Sequence, residues 1–187
     1  MKIREFGVEI WMNRHETECR YNLAETCVES LTLGELLALA GKTGAALDEL
    51  LPMKLTYGAI EGSDRLREAI GSLYQSACRE NVIITHGAIG ANALIYETLV
   101  EPGDRVVSVL PTYQQHYSIP ESYGADVRIL RLRQADGFLP DPAELARLMN
   151  GRTKLISLSN PNNPTGALMD RPRLEAIVSV ARAAGAW

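Results

Sequence analysis

Four short stretches hold residues whose types and spacing suit chemistry. Thr85-His86-Gly87-Ala88-Ile89-Gly90-Ala91 places small residues where a helix should begin. Small residues let the backbone approach a ligand, and N–H groups at a helix N-terminus favour an anion, so Gly87, Ala88 and Ile89 suit a phosphate. The same residues also suit an ordinary strand-to-helix turn. Neither the Gly-Lys-Ser/Thr of a Walker loop nor a G-x-G-x-x-G pattern is present there, which disfavours a nucleotide domain. In Pro111-Thr112-Tyr113-Gln114-Gln115-His116, Tyr113 can stack on a flat cofactor and His116 can orient a polar partner; a surface turn with a core tyrosine reads equally well. Asn160-Pro161-Asn162-Asn163-Pro164-Thr165-Gly166 holds asparagine side chains on a backbone stiffened by two prolines, a rigid polar display of the kind an oriented cofactor needs. Tyr57-Gly58-Ala59-Ile60-Glu61-Gly62 reads in isolation only as a loop.

The elements that position these stretches alternate. Thr32-x-x-Glu35 before Leu36 is a capping-box signature, with Gly41 and Gly44 ending the helix it starts. From Ser63, DRLREAIGSLYQSACR has helical spacing. Strands are expected at Val82–Thr85, Arg105–Leu110, Asp126–Leu132 and Lys154–Ser159. Helices are expected at Gly87–Val100, around His116–Tyr123, from Asp141-Pro142, and over Pro172–Ala184. Strands alternating with helices predict an α/β fold, a three-layer α/β/α arrangement on a mostly parallel sheet. Ligands in such a sheet sit beyond the carboxyl ends of the strands, where these motifs fall.

Bulk properties narrow the function classes. The chain has 187 residues, net charge -4 and 46% hydrophobic residues. Mild acidity disfavours a nucleic-acid surface, and no apolar run approaches a membrane span. Cys19, Cys27 and Cys78 lack C-x-x-C spacing and read as free thiols of a reducing compartment, without metal-ligand spacing. The N-terminus shows no signal-peptide pattern, so a cytoplasmic location is expected.

Taken in order, the four stretches resemble the fold-type-I enzymes that use pyridoxal 5'-phosphate (PLP), specifically the class I/II aminotransferase family. Asn163-Pro164-Thr165-Gly166 matches its most diagnostic early motif, Tyr57 through Arg67 its Tyr…Gly…Leu-Arg segment, and Glu101-Pro102-Gly103-Asp104 its turn before a strand. The resemblance covers about residues 50–187. It implies residues 1–50 as an N-terminal arm with part of a small domain, and 51–187 as an incomplete PLP-binding large domain. The backbone around Gly87, Ala88 and Ile89 would hold the PLP phosphate, Tyr113 would stack on the pyridine ring, and Asn163 would bond the ring's 3-oxygen. His116 would buttress the acid that pairs with the pyridine nitrogen. Tyr57 would reach the phosphate of the partner subunit in a homodimer. Glu25, where many relatives carry a glycine-rich stretch, would face the substrate or remain a solvated glutamate.

The implied reaction passes an amino group from an amino acid to a 2-oxo acid. Other PLP chemistry (lyase, decarboxylase, racemase or oxidase) and a non-catalytic PLP-fold module share the same front half. None of Lys2, Lys42, Lys54 and Lys154 stands where the family places its Schiff-base lysine. That lysine, the pyridine acid and the carboxylate-binding arginine are expected beyond Trp187. The chain expressed alone is accordingly expected to be inactive, and unstable or aggregated.

Overall fold

The computed structural model describes residues 2–42 and 44–187. In chain order the elements are α1 (Gly7–His15), α2 (Leu33–Leu39), α3 (Ala45–Leu50), α4 (Asp64–Gly71), α5 (Gly87–Leu99), β1 (Arg105–Leu110), α6 (Gln115–Ser122), β2 (Asp126–Arg131), α7 (Pro142–Leu148), β3 (Thr153–Ser157) and α8 (Arg171–Ala183). Two compact units result: residues up to Leu23 together with His86–Trp187, and Ala24–Thr85.

In the first unit the strands form a parallel sheet of order β2-β1-β3. The central strand, Arg-Val-Val-Ser-Val-Leu, is the β-branched run that a strand covered on both faces calls for. Its side chains alternate. Val107 and Val109 join Leu130, Leu132, Leu145, Met169 and Ile177 in one core, beneath α7 and α8. Val106 joins Tyr96, Val100, Ile119 and Leu155 in a second core, beneath α5 and α6. Helices therefore cover both faces, and the expected three-layer α/β/α arrangement is present.

Local chemistry sets the helix starts. Asp141 Oδ1 accepts the Ala143 N–H at 2.8 Å and Asp170 Oδ1 the Arg173 N–H at 3.0 Å, each ahead of a first-turn proline. At the amino edge of the sheet, Arg105 donates to Asp126 Oδ2 at 2.7 and 2.9 Å and to the Leu148 carbonyl at 3.0 Å, tying β1, β2 and the end of α7 together. The helix α1, not anticipated from the sequence, is anchored through Gln114. That side chain accepts the Gly7 N–H at 3.2 Å and donates to the Glu5 carbonyl at 2.8 Å.

In the second unit the capping box on α2 is formed in both directions, Glu35 N–H to Thr32 Oγ1 at 3.2 Å and Thr32 N–H to Glu35 Oε2 at 2.8 Å. The helix expected from Ser63 is shorter than its apolar spacing suggested. It stops at Gly71, which is buried so closely on the Cys78 backbone that a Cβ would lie 3.1 Å from Cys78 C, and the chain reverses there. The strand expected at Val82–Thr85 is not formed. A strand exists through pairing, and none of the three strands pairs with this segment. Instead the Ile84 N–H donates to the Glu61 carbonyl at 2.9 Å, and Arg67 Nε donates to the Val82 carbonyl at 2.8 Å while its Nη1 meets Glu61 at 2.9 Å. Gly62 turns beside this contact with φ +103°, and an added Cβ would overlap the Ile84 side chain.

This unit leaves large apolar side chains in water: Val28, Leu55, Tyr57 and Ile60 are 88, 101, 100 and 99% exposed. Exposed apolar surface of this kind drives association. The 187-residue chain produced alone should therefore sediment as oligomers or precipitate. A monodisperse monomer with a single cooperative urea transition in analytical ultracentrifugation and circular dichroism would contradict this.

Candidate functional site

Strands β1 and β3 are adjacent and parallel, so the segments after Leu110 and Ser157 leave the sheet at the same edge. The helix α5 ends just before β1 begins, and its 13 residues span about 20 Å, about the rise of a six-residue strand. Its N-terminus is thereby returned to the carboxyl edge. Gly87, Tyr113, His116 and Asn163 share this unit and this side of the sheet. Tyr57 and Glu25 belong to the second unit.

Gly87 opens α5 with φ +72°, a conformation that favours glycine, and the nearest atom to an added Cβ is Ile89 Cγ2 at 4.0 Å. No side chain caps this N-terminus, and Gly87, Ala88 and Ile89 are exposed. The positive end of the helix dipole lies at these residues, where an anion is favoured.

Past β1, the Tyr113 hydroxyl donates to Glu9 Oε1 at 2.6 Å, and Phe6 meets the ring edge-on at a centroid distance of 6.3 Å. The tyrosine is thus held from α1 and the residue before it, a support the sequence did not suggest.

Past β3, the two asparagines of the loop differ. Asn162 is buried, and its Nδ2 donates to the Pro111 carbonyl at 3.1 Å and to Thr165 Oγ1 at 2.9 Å. This bond joins the β3 loop to the β1 loop. Asn163 is exposed; its N–H donates to Ser159 Oγ at 3.3 Å. The polar display therefore consists of one asparagine that locks the loop and one whose side chain faces outward. The neighbouring oxygens Thr112 Oγ1, Gln115 Oε1 and Asn162 Oδ1 are buried without a partner among the described residues. Such atoms cost free energy unless another group completes them, and they concentrate at these two strand ends.

His116 is buried on α6, its Nδ1 2.7 Å from Ser157 Oγ. The Tyr96 hydroxyl on α5 lies 2.5 Å from the same Ser157 oxygen and 3.4 Å from the histidine nitrogen. Burial disfavours the charged imidazolium and holds the His116 pKa below its ordinary value, and burial likewise raises that of Tyr96. Neither Tyr96 nor Ser157 stood out in the sequence. Their one legible sign is Ser157 itself, a hydroxyl interrupting the apolar run Lys-Leu-Ile-Ser-Leu.

Tyr57 is fully exposed. The Glu25 carboxylate is turned onto its own chain, accepting the Thr26 and Cys27 N–H groups at 3.0 Å each. Bonding with Cys27, side chain first and backbone second, lowers its pKa. Lys154 is exposed on the second residue of β3, at the amino edge of the sheet and away from the strand-end loops. Among the described residues no cluster of His, Cys, Asp and Glu could hold a metal, the three cysteines are exposed and outside any disulfide, and no helix is long and apolar enough to cross a membrane.

The carboxyl edge of this parallel α/β sheet thus carries a helix N-terminus without a side-chain cap, an aromatic, a buried histidine and a locked asparagine loop. The family of aminotransferases class I and II matches residues 42–187, and the chain belongs to that family. Its members are PLP-dependent enzymes. Capreomycidine synthase of Streptomyces vinaceus is 32% identical over 177 residues, covering 93% of this chain and 45% of that protein. A PLP-dependent aminotransferase from Streptococcus suis 89-1591 superposes with a TM-score of 0.94 at 45% identity, over 100% of this chain and 50% of that one. The PLP-dependent cyclase OrfR superposes with a TM-score of 0.85 at 28% identity, over 100% of this chain and 48% of that one. The chain thus spans about half the length of the relatives it matches.

The pH dependence of stability follows from His116. Its native pKa is depressed below the unfolded value of about 6.5, so the unfolded state binds the extra proton first. The stability tied to the neutral ring is complete above that value and is lost as pH falls through the native pKa. In the full-length protein, His116→Gln should flatten the loss of unfolding free energy below about pH 6.5. Urea titrations across pH 5–8 that give parallel curves for wild type and variant would refute this.

Proposed function

We propose that the protein carrying this chain is a cytoplasmic, homodimeric PLP-dependent aminotransferase that transfers the amino group of an amino acid to a 2-oxo acid. The observation that supports this most directly is the juxtaposition of the β1 and β3 loops, tied by Asn162 to Pro111, with Tyr113 and Asn163 on them and His116 in the first turn of α6. The unpartnered oxygens at these strand ends, and the positive end of α5 at the same edge, support a polar, phosphorylated ring.

When bound, PLP supplies an electron sink for negative charge at the α-carbon of the amino acid. The chain's own residues bind and orient. The backbone at Gly87, Ala88 and Ile89 holds the phosphate with N–H groups at the positive end of α5. Tyr113, steadied by Glu9, offers its ring face for stacking. Asn163 would bond the ring's 3-oxygen with its exposed amide. His116 would donate a hydrogen bond to the carboxylate that pairs with the pyridine nitrogen. Tyr57 would serve the phosphate of the partner subunit, and Glu25 would face the substrate once its carboxylate leaves the Thr26 and Cys27 N–H groups. Residues 1–50 provide an arm and part of a small domain, and 51–187 part of the large domain. The lysine that bonds the cofactor comes from outside these residues.

The second reading is another PLP reaction on the same frame, a lyase, decarboxylase, racemase or oxidase. The likeness to capreomycidine synthase and to the cyclase OrfR favours keeping it open.

The full-length protein separates the two. For a transaminase, amino acid alone should bleach the aldehyde band of the cofactor and release one equivalent of 2-oxo acid, and added 2-oxo acid should restore the band. Repeated turnover of amino acid with the band intact and no added 2-oxo acid required would assign the second reading. Tyr113→Ala should weaken PLP binding about tenfold, since ring stacking contributes about 0.5–1.5 kcal/mol, whereas Tyr113→Phe should keep most of the affinity. Equal dissociation constants for wild type and Tyr113→Ala in equilibrium dialysis would remove the stacking role. Glu25→Gln should change the amino-acid KM; unaltered kcat and KM would leave Glu25 as a local turn residue only.

A further inference from the structure

Three buried polar groups meet between α5, α6 and β3, and their protons can be assigned by elimination. Ser157 Oγ lies within bonding distance of both Tyr96 Oη (2.5 Å) and His116 Nδ1 (2.7 Å). Tyr96 is 2% exposed, and besides Ser157 its hydroxyl reaches only His116 Nδ1, at 3.4 Å, among the described residues. Consider first an imidazole protonated on Nδ1 that donates to Ser157. The serine proton must then go to Tyr96, leaving the phenolic proton without an acceptor. If the phenol also donates to Ser157, the serine proton is stranded instead. Every arrangement that leaves no proton unmet has Nδ1 as an acceptor. Along the two short contacts it is Tyr96 O–H to Ser157 Oγ and Ser157 O–H to His116 Nδ1; the reverse relay would use the longer 3.4 Å contact. A buried donor without an acceptor is disfavoured about tenfold or more, and a phenol is a stronger donor than an alkyl hydroxyl.

We propose that Ser157, bonded in turn by Tyr96, is a positioning residue that fixes His116 in the tautomer with its proton on Nε2. Nδ1 is occupied as an acceptor, so the ring presents a single donor, Nε2–H. That nitrogen makes no bond to a described residue. The ring stands one helical turn beyond β1, beside the last residue of β3, so the donor serves the carboxyl edge of the sheet. A carboxylate there receives a hydrogen bond from a neutral ring of defined hand. With the opposite tautomer, two lone pairs would face each other. The consequence beyond Nε2 rests on the PLP reading above; the tautomer itself does not.

The test is the histidine side-chain nitrogen spectrum of the full-length protein, as purified and after removal of cofactor, with His116 assigned through His116→Gln. Long-range proton–nitrogen correlations distinguish the two tautomers directly. At least about nine-tenths of His116 should show the Nε2–H pattern with and without cofactor. Ser157→Ala, which removes the short donor to Nδ1, should raise the Nδ1–H fraction to several times its wild-type value; Ser157→Thr, which keeps the hydroxyl, should hold the wild-type pattern, and so should Tyr96→Phe, where Nδ1 is the acceptor left for the serine proton. A wild-type His116 that is mainly Nδ1–H overturns the proposal whatever the variants do. An unchanged tautomer ratio in folded Ser157→Ala also overturns it. An Nε2–H ring that fails to shift when PLP binds would leave the tautomer standing and count against the PLP reading alone.

Discussion

Everything at the candidate site depends on β1 being paired on both edges. A strand bonded to β2 on one side and β3 on the other cannot face water with either surface, because its own side chains are Val106, Val107 and Val109. Both faces must be roofed, by α5 and α6 on one side and by α7 and α8 on the other. Parallel pairing then decides where the connections fall. Each strand must be re-entered from the same end, so every helix starts near the carboxyl edge and every strand stops there. Glycines, prolines and polar side chains collect at that edge because it is where the chain turns and where backbone donors are left over.

The face beneath α5 and α6 departs from an ordinary apolar core. Ser108, Ser118, Ser157, His116 and Gln115 are all buried there, against the aliphatic layer of the opposite face. Polar groups are retained in a core only where they bond to one another, and the Tyr96–Ser157–His116 group does so. The layer holds one titratable ring on α6 between α5 and β3. The opposite face supplies the apolar burial beneath it.

Much of this was legible in the sequence, for identifiable reasons. The α/β alternation, β1 and the helix starts at Thr32 and Asp141 follow from local rules in which residues a few positions apart act on each other. The strand-end motifs could be located because they follow directly from those elements. What could not be read depends on contacts distant in sequence. Val82–Thr85 has a strand's composition but no strand to pair with, and α4 stops at Gly71 because the chain folds back onto Cys78. Glu9 reaches Tyr113 across more than a hundred positions, and Ser157 meets Tyr96 and His116 across dozens. Asn162 and Asn163 are indistinguishable as letters; one locks the loop and the other faces outward only because Pro111 lies beside the first.

The bond from Asn162 to the Pro111 carbonyl also has an evolutionary consequence. Two loops about fifty positions apart in the chain share one donor–acceptor pair, so their conformations are not independent variables. Substitutions in 111–113 and in 160–166 should show epistasis: a change tolerated in one loop will depend on the state of the other. Libraries that diversify the two loops separately would sample mostly mismatched pairs. Varying them together keeps the shared bond as the unit of selection, and it makes this pair of loops, rather than any single residue, the natural module for altering what the site accepts.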